Sequence, residues 1–362
     1  MNINFRQTGI SIAELLISIT LLGVISTLTI NGFLMNNAMN LATYNQVQTI
    51  NNQSIASALL LSAKYDSNLK LKLKLPEPYT SNDVNAGEKY VSTIVNLASS
   101  DQKDVDLINY IQQQGLSASE ANNDNKPVPN ARVYQKVSGL TKTMKLYTLS
   151  GPDVTLTYDF GVVYQSQCPL IDDCNKTPVP GKSPMMKNDS YTTWKTEGDD
   201  FGAAFVSTLP LQESMLTLTL SRLETIRSNL LAASAQFRLA INQGSSNGFP
   251  APKPTIENGQ QMILNLGQKT ASSNQGCHDG WYALNDAKVD VLAQIGLGQK
   301  EYGETAWGGE LQYCREYDLS ILGANRSFAA PPYYAALRFN QSVSTAIAPD
   351  GRNILNNIII SF

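Results

Sequence analysis

An uncharged apolar run near the start of the chain constrains its fold more than any other feature. Residues 15–34 read LLISITLLGVISTLTINGFL, which is 20 mostly apolar residues. Between Arg6 and Lys64 the only charged residue is Glu14. A helix that spans a membrane needs about 20 such residues. We therefore expect a long N-terminal helix that crosses a membrane once and continues beyond it as a stem.

The order of features around this run differs from that of a secretory signal peptide. A signal peptide is cleaved at small residues after its apolar core, whereas here the small residue, Gly9, precedes the core. Glu14 is costly beside an apolar span, by about 2.5–3.5 kcal/mol at a helix centre. On this residue alone two interpretations stay open: a functional carboxylate with a partner, or one hydrated near the membrane surface.

The stretch GISIAELLISITLLGV, residues 9–24, resembles the cleavage signature of type IV pilins and type II secretion pseudopilins. The resemblance implies that Gly9 is the last leader residue, cut by a prepilin peptidase. Ile10 would then be the first mature residue and would be N-methylated. Glu14 would be the fifth mature residue, which is the position of the family's glutamate.

Two departures from the family pattern accompany these matches. The first mature residue is more often Phe than Ile, and many type IV pilins carry a helix-breaking proline where this chain has Asn31-Gly32. A glycine loosens a helix by roughly 1 kcal/mol relative to alanine, so local unwinding is allowed but not demanded.

The family's role for the glutamate implies an assembly mechanism. In a bundle of helices without water, the Glu14 carboxylate would pair with the methylated Ile10 amine of a neighbouring subunit and fix their register. The implied partners are other pilin subunits, the prepilin peptidase and an inner-membrane assembly platform. The implied location is the bacterial inner membrane, with the head in the periplasm, followed by a pilus or pseudopilus at the cell surface.

Composition argues against several other functions. The net charge is -3 and only 16% of residues are charged, so no nucleic acid binding is expected. His278 is the only histidine, which excludes zinc sites with paired histidines, and no Gly-x-Ser-x-Gly motif is present. We expect no enzymatic activity, no cofactor and no metal.

The expected function is therefore that of a minor pilin, a structural subunit acting in filament assembly, at the tip or in adhesion. A head this large would crowd a filament at every position. The alternatives are a type II secretion pseudopilin and a singly anchored periplasmic enzyme whose N-terminus mimics the motif.

Hydrophobic patterning predicts an α+β fold, in which the long N-terminal helix carries a periplasmic two-lobe head of antiparallel sheet with a second long helix. The predicted segments are a leader (1–9), the transmembrane half of the helix (10–35), an amphipathic stem (36–65), a first head lobe with a long loop (66–208) and a second, pilin-like lobe (209–362). In the second lobe, a helix before Trp307-Gly308-Gly309 and the closing strands resembles a pilin-type head.

Individual elements follow from the same patterns. Helices are predicted at 10–65, 101–114 and from about Pro210 to Gly244. Strict alternation predicts a strand over Leu69–Leu75, which reads LKLKLKL. Further strands are predicted at 131–137, 144–149, 154–164, 310–316, 333–341 and 355–362.

Four cysteines allow three pairings. A head in the oxidising periplasm would contain disulfides, and the expected bonds are Cys168–Cys174 and Cys277–Cys314. A metal site that uses all four thiolates is the alternative, although the spacing lacks close C-x-x-C pairs.

Overall fold

The chain forms helices together with two antiparallel four-stranded sheets. The computed structural model describes residues 12–64, 72–76, 91–93, 105–117, 132–147, 150–165, 203–241, 247–253, 255–257, 260–262, 275–278, 280–319, 333–344 and 346–362.

Helix α1 spans Ile12–Lys64 and has 53 residues. At about 1.5 Å per residue it is about 80 Å long. No proline interrupts it, and the sequence places Lys64 in its last turn, where a cation is favourable beside the helix C-terminus. The expected helix over 10–65 is present throughout the described part of that range.

The expectation that this helix crosses a membrane is wrong. Among the helices and side chains that the structure describes, none offers a stretch that is both long and apolar enough to span a bilayer. In α1 the described apolar side chains alternate with polar ones such as Asn36, Asn40, Thr43 and Gln46. The membrane-spanning helix of the predicted fold class and the single-pass inner-membrane location are both overturned by this finding.

Sheet I lies against the end of α1. It contains β1 (Val91–Thr93), β2 (Arg132–Tyr147), β3 (Ser150–Gln165) and β4 (Ala204–Ser207), in that order and all antiparallel. Helix α2 (Val105–Gln113) packs on α1 and lies within the predicted range.

The two strands predicted at 131–137 and 144–149 are a single strand. Strand β2 runs through both, with an irregular register between Val137 and Leu140 where it pairs with β3. Gly139, which lies in this irregularity, has a φ of 72°, a backbone conformation that glycine adopts readily. A bulge that only bends a strand looks in sequence like a strand end.

The second long helix, α3 (Leu209–Ile241), confirms the helix predicted from Pro210 to Gly244. Its apolar stripe is buried at Leu216, Leu223, Ile226 and Leu230. Phe237, nearer the end of the helix, is 46% exposed. Beyond Ser234 most side chains of α3 lie outside the core.

Sheet II contains the last strands of the chain and shares a hydrophobic core with α3. It consists of β7 (Tyr282–Ala283), β8 (Gln312–Cys314), β9 (Ala336–Asn340) and β10 (Asn357–Ser361), in the order β10-β9-β8-β7. The predicted closing strands are confirmed in shorter form as β8, β9 and β10. Smaller elements surround them: the hairpin β5 (Thr255–Glu257) with β6 (Gln260–Met262), the helices α4 (Val291–Gln294) and α5 (Gln299–Tyr302), and a 3-10 turn at Ile354–Asn356.

The strand predicted over Leu69–Leu75 is absent from its described part, residues 72–76. Leu73 has a φ of 50°, which a strand does not allow. The alternation nevertheless indicated which side chains are buried, since Leu73 and Leu75 both are. Leu73 belongs to the core under α3 and sheet II, and Leu75 to the core between α1 and sheet I.

A buried ion pair explains why this segment is not a strand. Lys136 Nζ lies 3.6 Å from Asp159 Oδ2, and both side chains are almost completely buried. Lys136 also donates to the carbonyl of Leu75 at 2.8 Å, and the Leu75 N–H donates to Asp159 at 2.9 Å. Side chains thus satisfy the backbone of Leu75 in place of a neighbouring strand.

The backbone of Asp159 also bonds to the residue that precedes α3. The Asp159 N–H donates to the hydroxyl of Thr208 at 2.8 Å, and the Thr208 N–H donates to the Asp159 carbonyl at 3.0 Å. Thr208 immediately precedes Leu209, the first residue of α3. Asp159 therefore joins sheet I, the segment around Leu75 and the second long helix.

Replacing Asp159 by alanine should destabilise the protein strongly. The change removes the Asp159 carboxylate from the buried Lys136 charge, and removal of one partner of a buried ion pair costs about 3–5 kcal/mol. The matched control is Asp153→Ala, because Asp153 pairs with Lys145 at 2.9 Å with both side chains about half exposed. The control should cost less than about 1 kcal/mol. Urea unfolding of the three proteins measures both losses, and equal losses would contradict this account.

Candidate assembly surface

The last turns of α1 are its anchor on the head. Ile55, Ala58, Leu59 and Ala63 recur at spacings of three and four residues, and all are fully buried. They pack with Tyr134 and other residues of sheet I and α2. About three turns of the helix are thus held by the head.

The part of α1 before this anchor exposes large apolar side chains. The exposed fractions are 59% for Ile30, 58% for Leu34, 67% for Met35, 60% for Met39, 46% for Val47 and 51% for Ile50. At about 100° per residue these positions point around most of the helix circumference, not along one stripe. Large apolar side chains on several sides of a helix are normally covered by other helices.

This surface also carries no formal charge. No residue between Glu14 and Lys64 is charged, and the polar positions are Asn, Gln, Ser and Thr. Some of these groups are satisfied within the helix, as when the Thr43 hydroxyl donates to the Met39 carbonyl at 2.9 Å. Copies of the helix could therefore pack together without like-charge repulsion.

Of the predicted processing and assembly residues, only Glu14 lies within the described part of the chain, and only its backbone is described. Gly9 and Ile10 are outside the described residues. The backbone of Glu14 is part of α1, near the first described residue, Ile12. The structure thus places Glu14 on the same continuous helix as the exposed apolar surface, and the assigned roles of the three residues stay predictions.

The structure contains one of the two expected disulfides. Cys277 and Cys314 are bonded, with their Cα atoms 5.7 Å apart. Both sulfurs lie in a buried cluster with Trp281, Tyr317 and Ala336. The bond rules out a metal site built from all four thiolates, while Cys168 and Cys174 lie outside the described residues.

The Trp307-Gly308-Gly309 turn is part of the head framework. The Trp307 indole donates to Gln212 Oε1 on α3 at 2.6 Å, and the Ala306 N–H donates to the Thr219 hydroxyl at 2.9 Å. Gly308 has a φ of 78°, which favours glycine at this turn. The sequence singled out the turn but not its partners on α3.

Sequence reasoning missed a buried cation in sheet II. The Arg338 guanidinium lies 4.2 Å from the centroid of the Trp281 ring and donates to the side-chain oxygens of Gln312 at 2.6 Å and Gln275 at 2.8 Å. Burial lowers the pKa of Arg338 to about 10, against the opposing effect of nearby carboxylates. Its hydrogen bonds and ring contact link β8, β9 and the segment before Cys277, which is a structural role.

No candidate metal site accompanies these features in the described part of the chain. There, no group of three or more His, Cys, Asp or Glu side chains is placed to hold a metal ion. The unusual surface among the described residues is the exposed, uncharged length of α1.

Comparisons with known proteins add no assignment. No protein family, no curated protein and no solved structure matches the chain.

Removing the Cys277–Cys314 bond should cost about 4 kcal/mol of stability. The bond joins residues 37 apart, so its loss increases the entropy of the unfolded chain by the amount expected for a loop of that length. The double variant Cys277→Ala/Cys314→Ala, compared with the wild type by urea unfolding under oxidising conditions, measures the loss. Equal stabilities would contradict this expectation.

Reductant provides the matched control for this experiment. It should lower the stability of the wild type substantially and that of the double variant much less. The remaining expected bond, Cys168–Cys174, would close a far shorter loop, which contributes less. An equally large drop in the double variant would assign the effect to the other two cysteines.

Proposed function

We propose that the protein is a minor pilin, a non-enzymatic structural subunit of a type IV pilus that acts in filament assembly, at the tip or in adhesion. The proposal rests on the distribution of buried and exposed side chains along α1. Its last turns are buried in the head, and the preceding turns expose uncharged apolar side chains such as Leu34, Met35 and Met39. A filament core of packed helices would cover this surface.

The N-terminal motif supports the same function from the sequence. Cleavage after Gly9 would leave Ile10 as a methylated first residue, and Glu14 four residues later in the same helix. In a helix bundle from which water is excluded, the Glu14 carboxylate needs a counter-charge. The Ile10 amine of a neighbouring subunit would supply it and would set the axial register of the two helices.

The size of the head supports a minor position. Two four-stranded sheets and the second long helix follow the anchor of α1 among the described residues, and the chain after Lys64 has 298 of the 362 residues. Such a head occupies a large volume for one helix in a filament core. An occasional or terminal subunit has room for it, whereas a repeating one at every position has little.

A charge placed on the exposed apolar surface of α1 should block assembly. Met39→Glu would bury a carboxylate among neighbouring helices, so we expect incorporation to fall by about tenfold or more. Gln112→Glu adds the same charge on an exposed position of α2 and should assemble normally. The measurement is the amount of each variant in sheared filaments, relative to total cell protein. Normal incorporation of Met39→Glu would refute the role of this surface.

Glu14→Gln should be processed but assembled poorly. The substitution keeps the size and hydrogen bonding of the side chain and removes the charge proposed to pair with the Ile10 amine. The mass of wild type and variant should show that both begin at N-methylated Ile10, which verifies cleavage after Gly9. The variant should then be depleted from sheared filaments at equal total expression.

Two results of this experiment would count against the proposal. Equal incorporation would show that Glu14 does not fix the register. A mature chain that retains Met1 in cells with an active prepilin peptidase would remove the basis for placing the protein in a pilus at all.

A further inference from the structure

The outer strand of sheet II has an open backbone edge. Strand β10 (Asn357–Ser361) reads NIIIS and pairs only with β9 among the described strands. It has no charged residue, no proline and no break in its register with β9. Edge strands usually carry a charged residue, a proline or a bulge, because an unprotected edge pairs readily with another chain.

The hydrogen-bond pattern shows which groups face outward. Ala335 and Phe362 exchange two bonds, of 3.0 and 2.9 Å, and the Gln341 N–H donates to the Asn356 carbonyl at 2.7 Å. Since bonded and non-bonded pairs alternate in an antiparallel ladder, Ile358 and Ile360 bond to β9. The backbone groups of the alternate residues, Ile359 and Ser361, point away from the sheet.

Within the part of the chain that the structure describes, two of these outward residues have no backbone partner. Across the described residues, no hydrogen bond is made by the backbone of Ile359 or Ser361. Asn357 differs, because its N–H already donates to the carbonyl of Ile354. The edge thus offers two donors, at Ile359 and Ser361, and three acceptors, which include the Asn357 carbonyl.

Both faces of β10 are held by packing, so the strand cannot easily turn its edge away. Ile358 is buried in the core beneath sheet II, and Ile360 and Phe362 pack against the same core. Ile359 packs on the opposite face, against the cluster around the Cys277–Cys314 disulfide. The open edge is therefore presented by a rigid, extended backbone.

We propose that β10 pairs antiparallel with β10 of a second copy of this chain, so that the two copies of sheet II form one continuous sheet. The two-fold axis would pass beside Ile359. The Ile359 backbones of the two copies would exchange two hydrogen bonds. Each Ser361 N–H would donate to the Asn357 carbonyl of the other copy, and this uses Asn357 only as an acceptor.

A second copy fits this edge because the sequence is complementary to itself about Ile359. Ile359 would stand opposite Ile359, and Asn357 opposite Ser361, so no like charges meet across the interface. The proposed pairing covers Asn357–Ser361 and ends at the 3-10 turn Ile354–Asn356.

The experiment compares Ser361→Pro with Ser361→Ala in the full chain. Proline removes the outward N–H at a position where an edge strand tolerates it, whereas alanine keeps the N–H. A mild detergent is present in every sample to cover the apolar surface of α1. Sedimentation equilibrium should show dimers for the wild type and Ser361→Ala, and a dissociation constant at least about tenfold weaker for Ser361→Pro.

Hydrogen exchange gives a second, independent readout on the wild type. The amides of Ile359 and Ser361 should exchange more slowly as the protein concentration rises, while those of Ile358 and Ile360 stay protected throughout. This measurement decides the question even if Ser361→Pro fails to fold.

Three results would overturn the proposal: a monomeric wild type, a folded Ser361→Pro that dimerises as tightly as Ser361→Ala, or exchange at Ile359 and Ser361 that does not depend on concentration. None of them bears on filament entry through α1, so failure of this inference is distinguishable from failure of the proposed function.

Discussion

The buried Lys136–Asp159 pair is the interaction on which the head depends. A desolvated charge is tolerated only with a counter-ion and further hydrogen bonds, and Asp159 has both through Lys136 and the Leu75 N–H. The same residue bonds to Thr208 through its backbone, directly before α3 begins. Leu75 faces the core beside α1, whereas Leu73, two residues earlier, faces the core under α3. Asp159 thus bonds to Leu75 through its side chain and to the residue before α3 through its backbone, and so links the two cores.

The sequence predicted those elements whose signals are local. The helices α1, α2 and α3 and the strands β3, β8, β9 and β10 follow from such patterns and were placed to within a few residues, whereas the short strands β1 and β4–β7 were not predicted. The errors occur where distant residues decide. Residues 69–75 alternate as a strand does, but the backbone of Leu75 bonds to side chains 61 and 84 residues away. Gly139 marks a bulge within β2 that the sequence could not distinguish from a strand end.

Only part of the candidate assembly surface could be predicted from the sequence. The Gly9-Ile10-Glu14 spacing and the uncharged run after it are features of a single stretch of sequence. The membrane assignment rested on the apolar run from Leu15 to Leu34, and no helix among the described residues provides a stretch long and apolar enough to span a bilayer. The buried contacts of Trp307 and Arg338 connect residues 95 and 26 positions apart, and no short pattern indicates such pairs.

The two surfaces proposed for association occupy different parts of the molecule. Helix α1 is anchored on β3 and β4 of sheet I, whereas β10 is the outer strand of sheet II. Both lack formal charges, so neither association is opposed by like-charge repulsion at the contact. The two surfaces differ in how they select a partner. Helix α1 offers apolar side chains around much of its circumference, which favours a bundle. Strand β10 offers directed hydrogen bonds in one register, so pairing there would fix the relative orientation of two heads.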